Sequence, residues 1–251
     1  MLRTLSISTL ALAATGLVAC GADSDPQYDQ VATGLSAMMA DPNGGESRTF
    51  LDAVMAARGD IATGLSLTSD GLVTGQRGEL VLKYEFKCKD LQDAIVSSCD
   101  GAASADFKAE WKGKIDDARY KLEVDRKAEW KVKDFNGEIA TINGHTSYHV
   151  KSDFKDHDED IRHKYDFDFD AQYHDVGVRV SDGMLMSGRA DFDLDAKEMS
   201  DDGTATIKTQ LKVKTVVTFS EGNEAIVDLD SKHKYRIKLD SGDLSYEGRI
   251  D

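Results

Sequence analysis

From Glu79 to the end of the chain, apolar and polar residues alternate with a period of two. Leu80, Leu82, Tyr84, Phe86 and Cys88 occupy one parity, against Val81, Lys83, Glu85 and Lys87. Phe107, Ala109, Trp111, Gly113 and Ile115 alternate with Lys108, Glu110, Lys112 and Lys114. Tyr120, Leu122, Val124, Ala128, Trp130 and Val132 alternate with Lys121, Glu123, Asp125, Lys127, Glu129 and Lys131. This is the pattern of strands with one packed and one wet face. Asn143-Gly144, Asp182-Gly183, Asp202-Gly203 and Ser241-Gly242 are turn signals between the runs. The pattern predicts a mainly β fold, a long antiparallel meander of about ten strands.

Upstream the period is helical. In "YDQVATGLSAMMA", Val31, Leu35, Met38 and Met39 share one face, and Pro42-Asn43-Gly44-Gly45 ends the run. Glu46 or Ser47 opens a second run with Phe50, Leu51, Val54 and Met55 on one side, extended by Ile61 and Leu65. Helices are therefore expected over 28–41 and 46–65, their methionines filling core gaps. Ten strands make a sheet roughly 45–50 Å wide, and two helices about 10 Å across cover less than half of it. The sheet must curl into a barrel, or into a half-barrel with the two helices on its concave face. Small inward residues (Ala105, Ala109, Gly113, Ala128, Ala171, Gly188, Ala190 and Gly248) leave room inside or let a helix approach closely. A barrel of this strand number is wider than its side chains readily fill. Phe86, Trp111, Trp130, Phe167, Phe169, Phe192 and Tyr235 are the residues expected to line an apolar cavity.

Two stretches place an aspartate at every second position: "YDFDFDAQYH" at 165–174 and "ADFDLDAKE" at 190–198. Folding about 200–203 sets Asp195 near Lys208, Asp191 near Lys212 and Arg189 near Lys214. Phe192, Leu194 and Ala196 then meet Ile207, Thr209 and Leu211 on the opposite face. At the last turn Arg236 falls opposite Glu247, Ile237 meets Tyr246, and Leu239 meets Leu244. These rows read as the solvated side of a sheet, with lysines on neighbouring strands fixing register.

A net charge of −15 argues against nucleic acid and against a polybasic grip on anionic lipid. Of three cysteines, Cys88 and Cys99 form a natural pair for a structural disulfide in an exported protein. The export signal lies at the N-terminus: Arg3, an apolar run over Leu5–Leu17, then Leu17-Val18-Ala19-Cys20. The run is too short to span a bilayer. Its ending resembles the lipobox of bacterial lipoproteins. The resemblance covers the signal only and implies cleavage before Cys20, with acyl chains on Cys20 as the membrane anchor. Several acyl chains at about 0.8 kcal/mol per methylene hold stably. By the sorting rule of such lipoproteins, Gly21 implies the outer membrane. The expected organisation is a cleaved signal at 1–19, a lipidated tether at 20–27 and one domain at 28–251.

The segment "DHDEDIRH" offers Asp156, Asp158 and Asp160 at the spacing that opens a calcium loop. Ile161 stands where such a loop needs glycine, and the closing glutamate is missing, so no metal is expected. His145, His149 and Asp153 share one strand side but fall short of a zinc set. His233 lies on the inward parity with Tyr235, as a buried, hydrogen-bonded histidine. No nucleophile elbow, phosphate loop or HExxH motif is present, so neither catalysis nor a cofactor is expected. A transmembrane barrel shares the dyad alternation, but the chain shows no clear aromatic girdles and ends in Gly248-Arg249-Ile250-Asp251. The plan is similar to the half-barrel of lipoprotein carriers and outer-membrane lipoprotein receptors. That likeness implies a non-catalytic carrier of a hydrophobic ligand; the alternative is a structural or protein-interaction lipoprotein with a filled core.

Overall fold

The computed structural model describes residues 25–68, 72–116, 121–155, 162–201 and 206–250. Two helices, α1 (Pro26–Met39) and α2 (Glu46–Ala57), precede twelve strands. The strands are β1 (Leu65–Leu67), β2 (Val73–Arg77), β3 (Glu79–Lys89), β4 (Ser104–Asp116), β5 (Lys121–Lys133), β6 (Ile139–Lys155), β7 (Arg162–Arg179), β8 (Leu185–Asp201), β9 (Thr206–Ser220), β10 (Glu224–Leu229), β11 (His233–Lys238) and β12 (Leu244–Arg249). They form one antiparallel sheet in sequence order, open between β1 and β12. The expected meander is present, with twelve strands rather than ten, because β1 and β2 precede the alternating region. The second helix ends at Ala57 rather than 65: Arg58 caps it, Gly59 turns left-handed at φ +80°, and Leu65 starts β1.

Asp25 caps α1 by accepting the Gln27 N–H at 3.0 Å, and Pro26 takes the first helical position, where its missing donor costs nothing. The Asp41 carboxylate accepts the N–H groups of Asn43 (2.8 Å) and Gly44 (2.5 Å), turning the chain into α2. Gly45 is the N-cap there, where a Cβ would lie 2.5 Å from the carbonyl oxygens of Met39 and Asp41.

Each helix reaches across several strands of the sheet. α1 touches β7, where Phe167 lies against Gly34, and also reaches the β10–β11 turn through a Tyr28–Asp230 hydrogen bond of 2.7 Å. On a flat sheet β7 and β11 stand four spacings apart, about 19 Å, nearly twice a helix diameter. α2 likewise reaches Arg77 on β2 and Tyr173 on β7. Each helix thus contacts strands that lie several places apart in the sheet order.

Two glycines mark close approaches between neighbouring strands. Gly113 (φ +146°) and Gly144 (φ +142°) lie so close to the next strand that a Cβ would stand 2.1 Å from the Glu79 carbonyl oxygen and 2.2 Å from that of Glu129. At these two positions smallness admits a neighbouring strand, rather than a helix or a cavity. Asn143-Gly144 is accordingly no hairpin turn. It sits inside β6 at a register shift, with the Asn143 side chain accepting the Asp175 N–H at 2.9 Å, and the chain reverses at 134–138 instead. Asp182-Gly183 and Ser241-Gly242 do make turns, whereas Asp202-Gly203 lies outside the described residues.

The alternation places the aspartate rows outside, as expected, but the register differs. Asp195 pairs with Lys212 rather than Lys208, Asp191 with Val216 rather than Lys212 and Arg189 with Thr218 rather than Lys214, a shift of four residues that sets Asp193 opposite Lys214. Inside, Phe192 faces Thr215, Leu194 faces Val213 and Ala196 faces Leu211. At the last hairpin Ile237 meets Leu244 and Tyr235 meets Tyr246, while Arg236 still reaches Glu247 at 2.8 Å from the neighbouring register. Cys88 and Cys99 form a disulfide with Cα atoms 5.2 Å apart, pinning the 90–103 loop to β3. Among the described residues no helix is long and apolar enough to cross a membrane.

Candidate functional site

The most unusual chemistry lies inside. Glu46 is the first residue of α2, where the positive end of the helix dipole favours its carboxylate, and it is buried. Its Oε2 accepts from Arg126 Nη2 on β5 at 3.1 Å. Its Oε1 accepts from the hydroxyls of Tyr148 on β6 and Tyr173 on β7, the latter at 2.9 Å. Arg126 Nη1 donates to the Gly44 carbonyl at 3.1 Å. The guanidinium lies 4.5 Å from the Trp111 ring centre, 4.6 Å from Tyr148 and 5.4 Å from Trp130, so aromatic faces wall it on several sides. Arg126 and Trp111 are each only 2% exposed, and among the described residues Arg126 Nε and Trp111 Nε1 have no hydrogen-bond acceptor.

This arrangement sets protonation. Burial acts to lower the Arg126 pKa, but Glu46 and the two phenols outweigh it and the net shift is upward. Burial pushes the phenols of Tyr148 and Tyr173 well above their ordinary range, against the pull of Arg126. The cluster therefore holds a charged guanidinium and two neutral phenols.

A second buried pair lies further along α2. Arg77 donates to both oxygens of Asp52, at 2.5 and 2.9 Å, and Arg48 approaches the same carboxylate at 3.6 Å. Burial raises the Asp52 pKa while Arg77 opposes it. Four further polar contacts join the helical segment to the sheet: Tyr28–Asp230, Tyr235 to Asp29 at 2.8 Å, Ser36 to the Gly242 carbonyl at 2.8 Å, and Ser47 to Asn223 at 3.0 Å.

Of the predicted lining residues, Trp111, Trp130, Phe167, Phe169, Phe192 and Tyr235 are buried and Phe86 is half-buried. Most join one chain of rings: Trp111–Trp130 at 5.8 Å, Trp130–Phe50 of α2 at 4.7 Å, Phe50–Tyr173 at 5.1 Å, Tyr173–Phe192 at 6.2 Å and Phe192–Phe169 at 5.8 Å. Tyr235 stands apart near α1, with Tyr246 at 5.2 Å. His233 is buried beside it, stacked 4.5 Å from Tyr28 with Nδ1 3.3 Å from the Tyr246 hydroxyl.

Sequence reasoning missed Glu46, Arg126, Arg77 and Asp52 as a set. The signal was present for one of them: Arg126 sits on the apolar parity between Val124 and Ala128, so it had to point inward.

The outer face carries a shallow groove of ≈ 480 Å³ lined by aspartates of three strands, β5, β7 and β8, together with Lys127 and with Ser147 and His149 of β6. Asp168 stands directly opposite Asp195 and Asp170 opposite Asp193, like charge on like charge, where lysine rows were anticipated. His149 Nδ1 approaches Asp168 at 2.6 Å and Asp166 at 3.6 Å, and these potential ligand atoms lie within 4.8 Å of one another. His149 thus joins β7 carboxylates rather than His145, which faces Glu129 and Gln172 across the strands. Cys20 and the Asp156, Asp158 and Asp160 loop lie outside the described residues.

Comparison with protein-family models, curated proteins and solved structures finds no match to this chain.

Proposed function

We propose that the chain is a lipid-anchored cell-envelope lipoprotein, and that its sheet is a half-barrel carrying a hydrophobic ligand under a helical cover. The observation that carries this reading is the helix–sheet boundary. The helices meet an aromatic floor but are fastened at discrete polar points, two of them buried ion pairs. A buried ion pair adds little net stability over well-packed apolar residues of the same volume. A permanently closed core has no need of it; a cover that must lift and reseat in one register gains a defined seat. The lipobox motif Leu17-Val18-Ala19-Cys20 supports an anchor on Cys20, and Gly21 supports the outer membrane.

The test is native mass spectrometry of the chain from Gly21 onward, expressed in the periplasm; this form contains every described residue. A lipid-mass adduct lost on unfolding is the expected result. A bare mass, together with no binding of an apolar fluorescent probe, overturns the carrier. Palmitate labelling abolished by Cys20→Ala is expected for the anchor, and labelling unaffected by that change removes it. One observation favours the second reading, a structural or protein-interaction lipoprotein: the interior rings already fill the space under α2 by packing on one another and on Phe50.

A further inference from the structure

Resting on that carrier reading, we propose that Arg126 is the headgroup site of the ligand, that Glu46 occupies it in cis, and that the ligand is an amphiphile with an anionic oxyacid head. The Glu46 carboxylate is held as a bound ligand's would be. One oxygen meets a guanidinium and the other meets two phenol hydroxyls, inside an aromatic wall. Yet it reaches this place from α2, which belongs to the cover rather than to the sheet.

The site also holds more donors than Glu46 uses. Arg126 Nε and Trp111 Nε1 are buried N–H groups with no acceptor among the described residues, and a buried unpaired donor is costly. The three residues that donate to the Glu46 carboxylate sit on the sheet: Arg126 on β5, Tyr148 on β6 and Tyr173 on β7. They stay in place when α2 moves. Lifting α2 removes the Glu46 carboxylate and leaves the guanidinium against the rings of Trp111, Tyr148 and Trp130 without its anion. A carboxylate or phosphate head on an apolar chain takes that anion's place, while its chain lies along the ring floor of Trp130, Phe192 and Phe169. A neutral lipid cannot replace Glu46 without stranding the charge, so the same cluster selects acids over alcohols.

Dodecanoate, dodecyl phosphate, dodecanol and inorganic phosphate are the probes, each below its aggregation concentration, against the full mature chain by calorimetry and thermal shift. Wild type should bind either acid about tenfold or more tightly than the alcohol, the scale of one charge-assisted hydrogen bond. Glu46→Gln keeps the side-chain shape but removes the competing charge. It should bind the acids more tightly than wild type does and show the larger rise in Tm on adding them. Arg126→Gln should lose the preference for acid over alcohol. Equal binding of acid and alcohol overturns the headgroup assignment and leaves the carrier standing. Binding of inorganic phosphate to Glu46→Gln as tight as that of dodecyl phosphate reassigns the site to a free anion. No binding of any probe to either protein overturns the headgroup assignment and the carrier together.

Discussion

The two faces of the sheet use the same charged residue types to opposite ends. Outside, charges are many, half-exposed and unevenly matched. Lys108 meets Glu129 at 2.9 Å and Lys112 meets Asp125 at 2.8 Å. But Lys212 lies 3.8 Å from Asp195 and Lys197 3.9 Å from Asp168, and aspartates of β7 and β8 stand opposite each other. Inside, charges are few and each is held by several partners: Glu46 by one guanidinium and two phenols, Asp52 by a two-pronged arginine. Water does the matching on the outer face, and side-chain geometry must do it on the inner one. A charge can be misplaced outside at small cost, but inside its partners fix where it lies.

The comparison breaks hardest at Arg126. Arg126→Ala leaves the Glu46 carboxylate buried without its cation, and urea denaturation should show a loss of about 3–5 kcal/mol. The double change Arg126→Met with Glu46→Leu should recover most of that loss, because an apolar pair of similar volume needs no partner. Failure to recover would mean that the cluster's worth lies in packing rather than in paired charge.

Alkali attacks the same cluster. Tyr148 and Tyr173 have folded pKa values above the unfolded value of about 10, so below pH 10 their contribution is fully present. Above pH 10 the unfolded chain releases these protons and the folded chain keeps them, so stability falls as pH rises. Two such phenols give a slope of about 2.7 kcal/mol per pH unit. Tyrosine absorbance at 295 nm should show these hydroxyls ionising only together with unfolding; ionisation in the folded state would contradict their burial.

Tyr148→Phe is smaller. It removes one hydroxyl from Glu46 Oε1 while Tyr173 remains, and about 1.5–3 kcal/mol should be lost at neutral pH. The outer face should respond least. Asp170→Asn relieves the like-charge pair with Asp193, which keeps Lys214 opposite it, and should raise stability by about 0.2–1 kcal/mol, with the gain shrinking in high salt. A loss there as large as that at Tyr148 would erase the distinction between the faces.

How much of this the sequence disclosed follows from the same contrast. The period of two located β3 through β12 and their wet side, because one face is packed along most of the sheet. It set the parity of each pairing but not the register: β8 slid four residues against β9 with every side chain still on its proper face. Asn143-Gly144 looked like a turn because the same pair serves at a bulge inside a long strand. The interior cluster stayed hidden for a different reason. An inward Arg126 is sustained by a carboxylate 80 residues away on α2, and no local pattern links the two. Cys88 and Cys99 were legible because few pairings were open to them, and the disulfide is there.

The meander has a directional consequence. In a sheet whose strands follow one another in sequence order, every second reversal lies at the same end. The ends of β4 at Asp116, β6 at Lys155 and β8 at Asp201 thus share a side with the β10–β11 turn, where Tyr28 meets Asp230. Cys20 precedes Asp25 by five residues, a reach of about 17 Å at full extension. With the proposed acyl chains on Cys20, the bilayer would lie against the long-strand end, and the disulfide-pinned loop would point into the aqueous space. The protein would stand with the ends of its longest strands toward the lipid, so that the proposed acidic amphiphile would meet this end of the sheet first on leaving the membrane.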